Sequence, residues 1–130
     1  MGKTVLSDGE WRIMNLLWES SPRRVPELTE ALAPDTGWSR ATVNMMLSRL
    51  EEKGAVGMEQ QGRSKAYRPL LSQADARQKE TTRFLDRLYG GSLGLMVSSL
   101  AGQQALTSED IRTLRAILAE AEEKEDSDAD

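Results

Sequence analysis

WSRATVNMMLSRLEEKGAVGMEQQGRSKAYRP, residues 38–69, reads as a helix entered through a turn, stopped by a glycine, and followed by a short β-hairpin with positive charge at its tip. Ser39 can cap the helix by accepting a hydrogen bond from an early backbone N–H, and Val43, Met46, Leu47 and Leu50 recur at the spacing of one apolar, inward-facing side. The opposite side carries Ala41, Met45 and Ser48, flanked by Thr42, Asn44 and Arg49. These groups can approach base edges and phosphates, where a merely solvated helix would more often show Glu and Lys. Lys53 suits the negative end of the helix dipole, and Gly54 supplies a left-handed stop without steric cost. Strands fit 55–61 and 64–68, with Gly62 at the reversal and Arg63, Lys65 and Arg68 placed where a wing would follow a phosphate backbone. A capped helix or a basic hairpin is common alone. In this order they form the reading half of a winged helix-turn-helix, which predicts binding to duplex DNA.

The preceding segment supplies the scaffold. Ser7 with Glu10 makes a capping box, and Trp11, Met14, Leu17 and Trp18 follow at helical spacing as core residues. Ser21-Pro22 breaks the chain, and a second short helix begins near Pro26, carries Leu28 and Leu32, and is predicted to end at Ala33-Pro34 because a residue before proline disfavours helix. Trp38 is read as hinge packing, with a phosphate contact through its indole N–H as the alternative.

From Leu71 onward the pattern is purely helical. Ser72 can cap a helix to about Tyr89 with Phe84, Leu85 and Leu88 apolar, and after Gly90-Gly91 Ser92 can start another containing Leu93, Met96, Val97 and Leu100. Thr107 with Asp110 opens a third, with Ile111, Leu114, Ile117 and Leu118 along one side. Each apolar side needs cover, from a second copy or from the bundle itself. So short a chain has little room for a separate core, which favours a dimer interface built from these residues. The expected architecture is mainly α: a winged helix-turn-helix over 1–71, a helical dimerisation domain over 72–123, and an acidic tail over 124–130 that frays.

Composition narrows the function. The 130 residues include no cysteine and no histidine, which removes disulfides, thiolate or imidazole catalysis and the usual zinc sites. Glu51-Glu52 and Glu122-Glu123 diverge on their helices, unlike a carboxylate pair converging on a substrate. No catalytic residue, metal or cofactor is expected, and the chain is not read as an enzyme. No apolar stretch approaches the roughly 18 residues of a membrane span, and no leader pattern opens the sequence. The expectation is a cytoplasmic protein without membrane insertion.

Net charge is −4, unevenly spread. Residues 1–70 hold ten Lys/Arg against nine Asp/Glu, and residues 71–130 hold seven against twelve. Within 39–68, Arg40, Arg49, Lys53, Arg63, Lys65 and Arg68 face only Glu51, Glu52 and Glu59, a local balance of +3. Because the Debye length at physiological salt is about 8 Å, that local field governs binding to a polyanion.

The sequence resembles the penicillinase-repressor (BlaI/MecI) family of bacterial winged-helix transcriptional regulators. The likeness starts at Leu6-Ser7-Asp8-Gly9-Glu10-Trp11 and runs through Trp38-Ser39, Thr42-Val43, Met46-Leu47-Ser48-Arg49-Leu50, Lys53-Gly54-Ala55, Gly62-Arg63 and Tyr67. It continues in Phe84-Leu85-Asp86-Arg87-Leu88-Tyr89, Gly91-Ser92-Leu93, Leu106-Thr107 and Glu109-Asp110-Ile111, spanning about residues 5–123. The resemblance implies a homodimeric repressor on palindromic operator DNA, with Ser39, Arg40, Ala41, Thr42, Asn44, Met45, Ser48 and Arg49 of the reading helix and Arg63 and Lys65 of the wing at the DNA. Ala41 and Met45 depart from the lysine and polar residue frequent in the family, which changes the operator sequence rather than the docking mode. In the antibiotic-resistance members a membrane-bound sensor protease leads to cleavage at an Asn-Phe pair, which here would be Ser99-Leu100. Copper-responsive relatives use a C-terminal cysteine motif that this chain lacks. Two alternatives share the fold: a winged-helix protein–protein interaction module and a small-molecule-sensing regulator.

Overall fold

The capping box at Ser7 forms on both sides: the Ser7 N–H donates to Glu10 Oε1 at 2.8 Å and the Glu10 N–H to Ser7 Oγ at 3.2 Å. It opens α1 (Asp8–Glu19), the first element of a computed structural model that describes residues 5–128. Next come β1 (Arg23–Arg24), α2 (Val25–Thr36), α3 (Arg40–Glu52), and the hairpin β2 (Val56–Gln61) and β3 (Ser64–Pro69). The helices α4 (Gln73–Tyr89), α5 (Leu93–Gly102) and α6 (Ser108–Asp128) complete the chain. The expected caps form, Ser72 Oγ accepting from Asp75 N at 3.1 Å, Ser92 Oγ from Leu95 N at 3.1 Å, and Thr107 and Asp110 exchanging bonds at 3.0 Å.

Two boundaries differ from the sequence reading. Helix α2 does not stop at Ala33 but runs through Pro34 to Thr36. Pro34 leaves the carbonyl of the exposed Glu30 without its helical N–H, open to water instead, and Thr36 Oγ1 donating to Leu32 O at 2.8 Å and Gly37 N to Ala33 O at 3.0 Å close the last turn. At the other end of the chain, α6 continues beyond Glu123 to Asp128 where fraying was expected. Ala, Leu, Glu and Lys dominate 116–125, and their helix propensity outweighs the unfavourable pairing of acidic groups with the negative helix end. The last two residues of the expected tail lie outside the described residues.

The chain divides into two compact units, the first up to Thr81 and the second from Thr82. Residues 73–81 of α4 belong to the first unit, and Ala76 among them is buried. There the three strands form an antiparallel sheet in the order β1-β3-β2, with Arg24 opposite Ala66 and Ala66 opposite Glu59. Strand β1 was not foreseen, since two residues carry no periodicity. The core joins Ile13, Met14 and Leu17 of α1, Leu28 and Leu32 of α2, and Val43, Leu47 and Leu50 of α3 to Val56 and Tyr67 of the sheet. Trp11 and Trp18 pack edge to face at 5.8 Å, and the Trp18 indole N–H donates to Leu71 O at 2.9 Å, tying the chain leaving the sheet to α1.

Glu10 does more than cap. It is 2% exposed, and Lys53 at the end of α3 reaches back to its Oε1 at 2.5 Å while also donating to Val5 O at 2.9 Å. Burial disfavours the Glu10 carboxylate, but the Lys53 ammonium and the Ser7 groups outweigh it and hold Glu10 below its ordinary 4.5. The stability this contributes is therefore complete above pH 4.5 and is lost as pH falls through the lower folded value.

Replacing Lys53 by Met should cost roughly 3 kcal/mol at neutral pH, because a buried carboxylate is left without its partner. Burial of the Glu10 carboxylate is then opposed only by the Ser7 bonds, so its pKa moves up from the wild-type value and the stability lost on acidification is smaller than in wild type. Urea unfolding at a series of pH values measures both effects.

Candidate nucleic-acid interface

Helix α3 is held at one rotation by Val43, Leu47 and Leu50, each 0% exposed. Its entry is fixed by Ser39, whose Oγ accepts from Thr42 N at 3.2 Å and lies 3.3 Å from Thr42 Oγ1. Met46 and the Trp38 ring lie over Gly9 of α1, where a Cβ would collide with the Met46 methyl and crowd the Trp38 ring. Trp38 thus takes the packing role. The same rotation leaves Arg40, Ala41, Asn44, Met45, Ser48 and Arg49 exposed. Thr42 is half-buried at the cap, so less of it is free to reach outward than the helical wheel alone suggests. The first turn holds no acidic residue, so no side-chain charge there offsets the positive dipole end.

The wing turns at Gly62, whose φ of +64° suits a residue without a side chain, and Gln60 Nε2 donates to Gly62 O at 3.1 Å across the tip. Arg63, Lys65 and Arg68 are exposed. Among the described residues these three cations and Arg40 and Arg49 form no ion pair. Lys53, counted in the positive balance of 39–68, is spent on Glu10 and contributes little outward field. In exchange β1 brings Arg23 and Arg24 beside β3, where sequence reading had not put them. Burial, then the Glu51 carboxylate, raises the Tyr67 hydroxyl above its ordinary 10.0, so it stays neutral under the sheet.

In the second unit, Phe84, Leu88, Leu93, Ile111, Ile117 and Leu118 are exposed, while Leu85, Met96, Val97, Leu100 and Leu114 are half-buried. A groove between α5 and α6 is lined by Leu93, Met96, Val97, Leu100, Leu106 and Leu114. Leu114 is half-buried at the edge of this groove, whereas Ile117 and Leu118 are 54% and 60% exposed. Ser99 and Leu100 lie within α5, their carbonyls accepting from Gln103 N at 3.1 Å and Ala105 N at 2.9 Å. Among the described residues no cluster of acidic residues is arranged to hold a metal ion, and no helix is long and apolar enough to cross a membrane.

A helix with a polar outer face, followed by a basic hairpin on a three-helix core, defines a winged helix-turn-helix. The chain belongs to the penicillinase repressor family, whose profile matches residues 6–120. It is 33% identical over 115 residues to the penicillinase repressor of Bacillus licheniformis, spanning 88% of this chain and 90% of that protein. Identity to the methicillin resistance regulatory protein MecI of Mammaliicoccus sciuri is 25% over 113 residues, or 87% of this chain and 92% of the other. The solution structure of the DNA binding domain of the repressor BlaI superposes with a TM-score of 0.50 at 33% identity, covering 54% of this chain and 85% of that one.

Proposed function

We propose that the protein is a transcriptional repressor that binds palindromic operators as a homodimer, inserting α3 of each subunit into a major groove. The observation that carries this reading is the exposed face of α3 beside a wing whose cations Arg63, Lys65 and Arg68 form no ion pair among the described residues. The family's named members, a penicillinase repressor and a methicillin resistance regulator, support it. Asn44 is suited to pair with an adenine edge, Ala41, Thr42 and Met45 to pack on thymine methyls, and Ser48 to bond either. Arg40 and Arg49 at the two ends of the exposed face, with Arg63 and Lys65 on the wing, meet phosphates, and Ser39 sets the helix entry.

Dimerisation rests on the second unit. Among its described residues none is buried, and Leu88, Leu93, Leu95, Ile117 and Leu118 are each more than half exposed. Apolar sides of this extent need cover, and a second copy supplies it by pairing Phe84, Leu85, Leu88, Ile111, Ile117 and Leu118 with their counterparts around the α5–α6 groove. Two subunits would then place their α3 helices about 34 Å apart, one turn of duplex. Promoter occupancy blocks transcription in the cytoplasm. Relief by a membrane-bound sensor protease would require α5 to open locally, since Ser99-Leu100 lies in hydrogen-bonded helix.

A mobility-shift titration on the promoter of the protein's own transcription unit, with a salt series, tests this reading. Asn44→Ala should lose about 1–3 kcal/mol at particular base pairs, whereas Arg63→Ala should weaken all duplexes alike and flatten the salt slope. Equal loss on every sequence for Asn44→Ala would remove its reading role. Leu118→Asp should raise the dimer dissociation constant about a hundredfold without unfolding either unit, since Leu118 is 60% exposed in the single chain. Sedimentation equilibrium measures the shift, and an unchanged dimer would place the interface elsewhere.

A further inference from the structure

Strand β1 pairs Arg24 with Ala66 on the central strand, and Ala66 in turn faces Glu59. Partners in register share a face of the sheet, so Arg24 lies on the side of β3 that carries Ser64 and Ala66. From there its guanidinium crosses the central strand diagonally, and Nη2 donates to Gln61 Oε1 at 3.1 Å. Gln61 is the last residue of β2 before the Gly62-Arg63 turn. The side chain between them is alanine, 1% exposed. A long side chain at 66 would occupy the path that Arg24 takes. The backbone of Arg24 is separately anchored, its N–H donating to Glu27 Oε1 at 3.1 Å at the start of α2.

We propose that Arg24 is part of the DNA site, a wing-bracing residue whose guanidinium, held against Gln61, bonds the phosphate backbone beside Arg63; this rests on the DNA-binding reading above. Gln61 accepts only one of the five N–H groups of a guanidinium, so Arg24 keeps donors for a phosphate while bracing the tip. An amide partner holds the position without neutralising the charge. The wing's charge then comes from two segments far apart in sequence, Arg24 on one side and Arg63, Lys65 and Arg68 on the other.

The test uses the full-length protein in duplex titrations over a salt series, with Arg63→Ala as the reference. Arg24→Ala should weaken binding roughly tenfold on operator and unrelated duplexes alike, and lower the slope of log affinity against log salt by about 0.9 per bound subunit. Gln61→Met keeps the charge and removes the brace, so affinity should fall while the slope stays. Gln61→Glu pairs with Arg24, keeps the brace and cancels the charge, so the slope should fall with Arg24 untouched. Thermal unfolding should be unchanged in all three, because the Arg24 backbone contact to Glu27 survives each change. If Arg24→Ala and Gln61→Glu leave affinity and slope unaltered while Arg63→Ala weakens binding, Arg24 is not at the DNA and the inference fails alone. If wild-type protein binds no duplex, the DNA-binding reading fails and takes this inference with it.

Discussion

The rotation of α3 is the constraint on which the rest depends. Burying Val43, Leu47 and Leu50 completely leaves no choice about which residues face outward, and turning the helix by one position would hide Asn44 and expose leucine. Both ends of the helix are fixed independently. At the start, Ser39 caps the backbone and the Trp38 ring settles on Gly9. At the finish, Lys53 reaches a carboxylate on α1 that is itself fixed by the Ser7 cap. One glutamate thus links the start of α1 to the end of α3, with consequences for helix placement as well as stability.

That rigidity suits a site that reads an external surface. Its cations are exposed and unpaired among the described residues, so their field depends on salt and their contribution per subunit is modest. In the proposed homodimer, joining two such sites at fixed spacing would raise affinity, since the second half-site is engaged at high effective concentration. In the proposed dimer the helices beyond Thr82 would supply that join. They carry large apolar residues at regular spacing and bury none among those described. The first unit closes its own core, while the second leaves its apolar sides exposed.

Much of this was legible in the sequence because the governing signals are local. Capping pairs such as Ser7 with Glu10 and Thr107 with Asp110 act within one turn, and the spacing of Val43, Leu47 and Leu50 fixes the phase of α3 without tertiary information. What stayed hidden depends on contacts distant in sequence. Strand β1 exists only because β3 lies beside Arg23 and Arg24, and Lys53 meets Glu10 from 43 residues away. Helix α2 passed Pro34 because Thr36 and Gly37 close its last turn, and α6 outran its acidic run because propensity outweighed charge. The α5–α6 groove that Leu114 lines also depends on residues distant in sequence, since Leu93 and Met96 come from α5. An Arg-Arg pair just before a helix start was the one visible clue to β1.

The central claim is that two α3 helices occupy successive major grooves of one operator. Hydroxyl-radical footprinting of the wild-type protein on its own promoter addresses this directly. The account predicts protected patches on one face of the duplex, centred about 10 base pairs apart and related by a two-fold axis through a palindrome. A single protected patch, or uniform protection without periodicity, would contradict it.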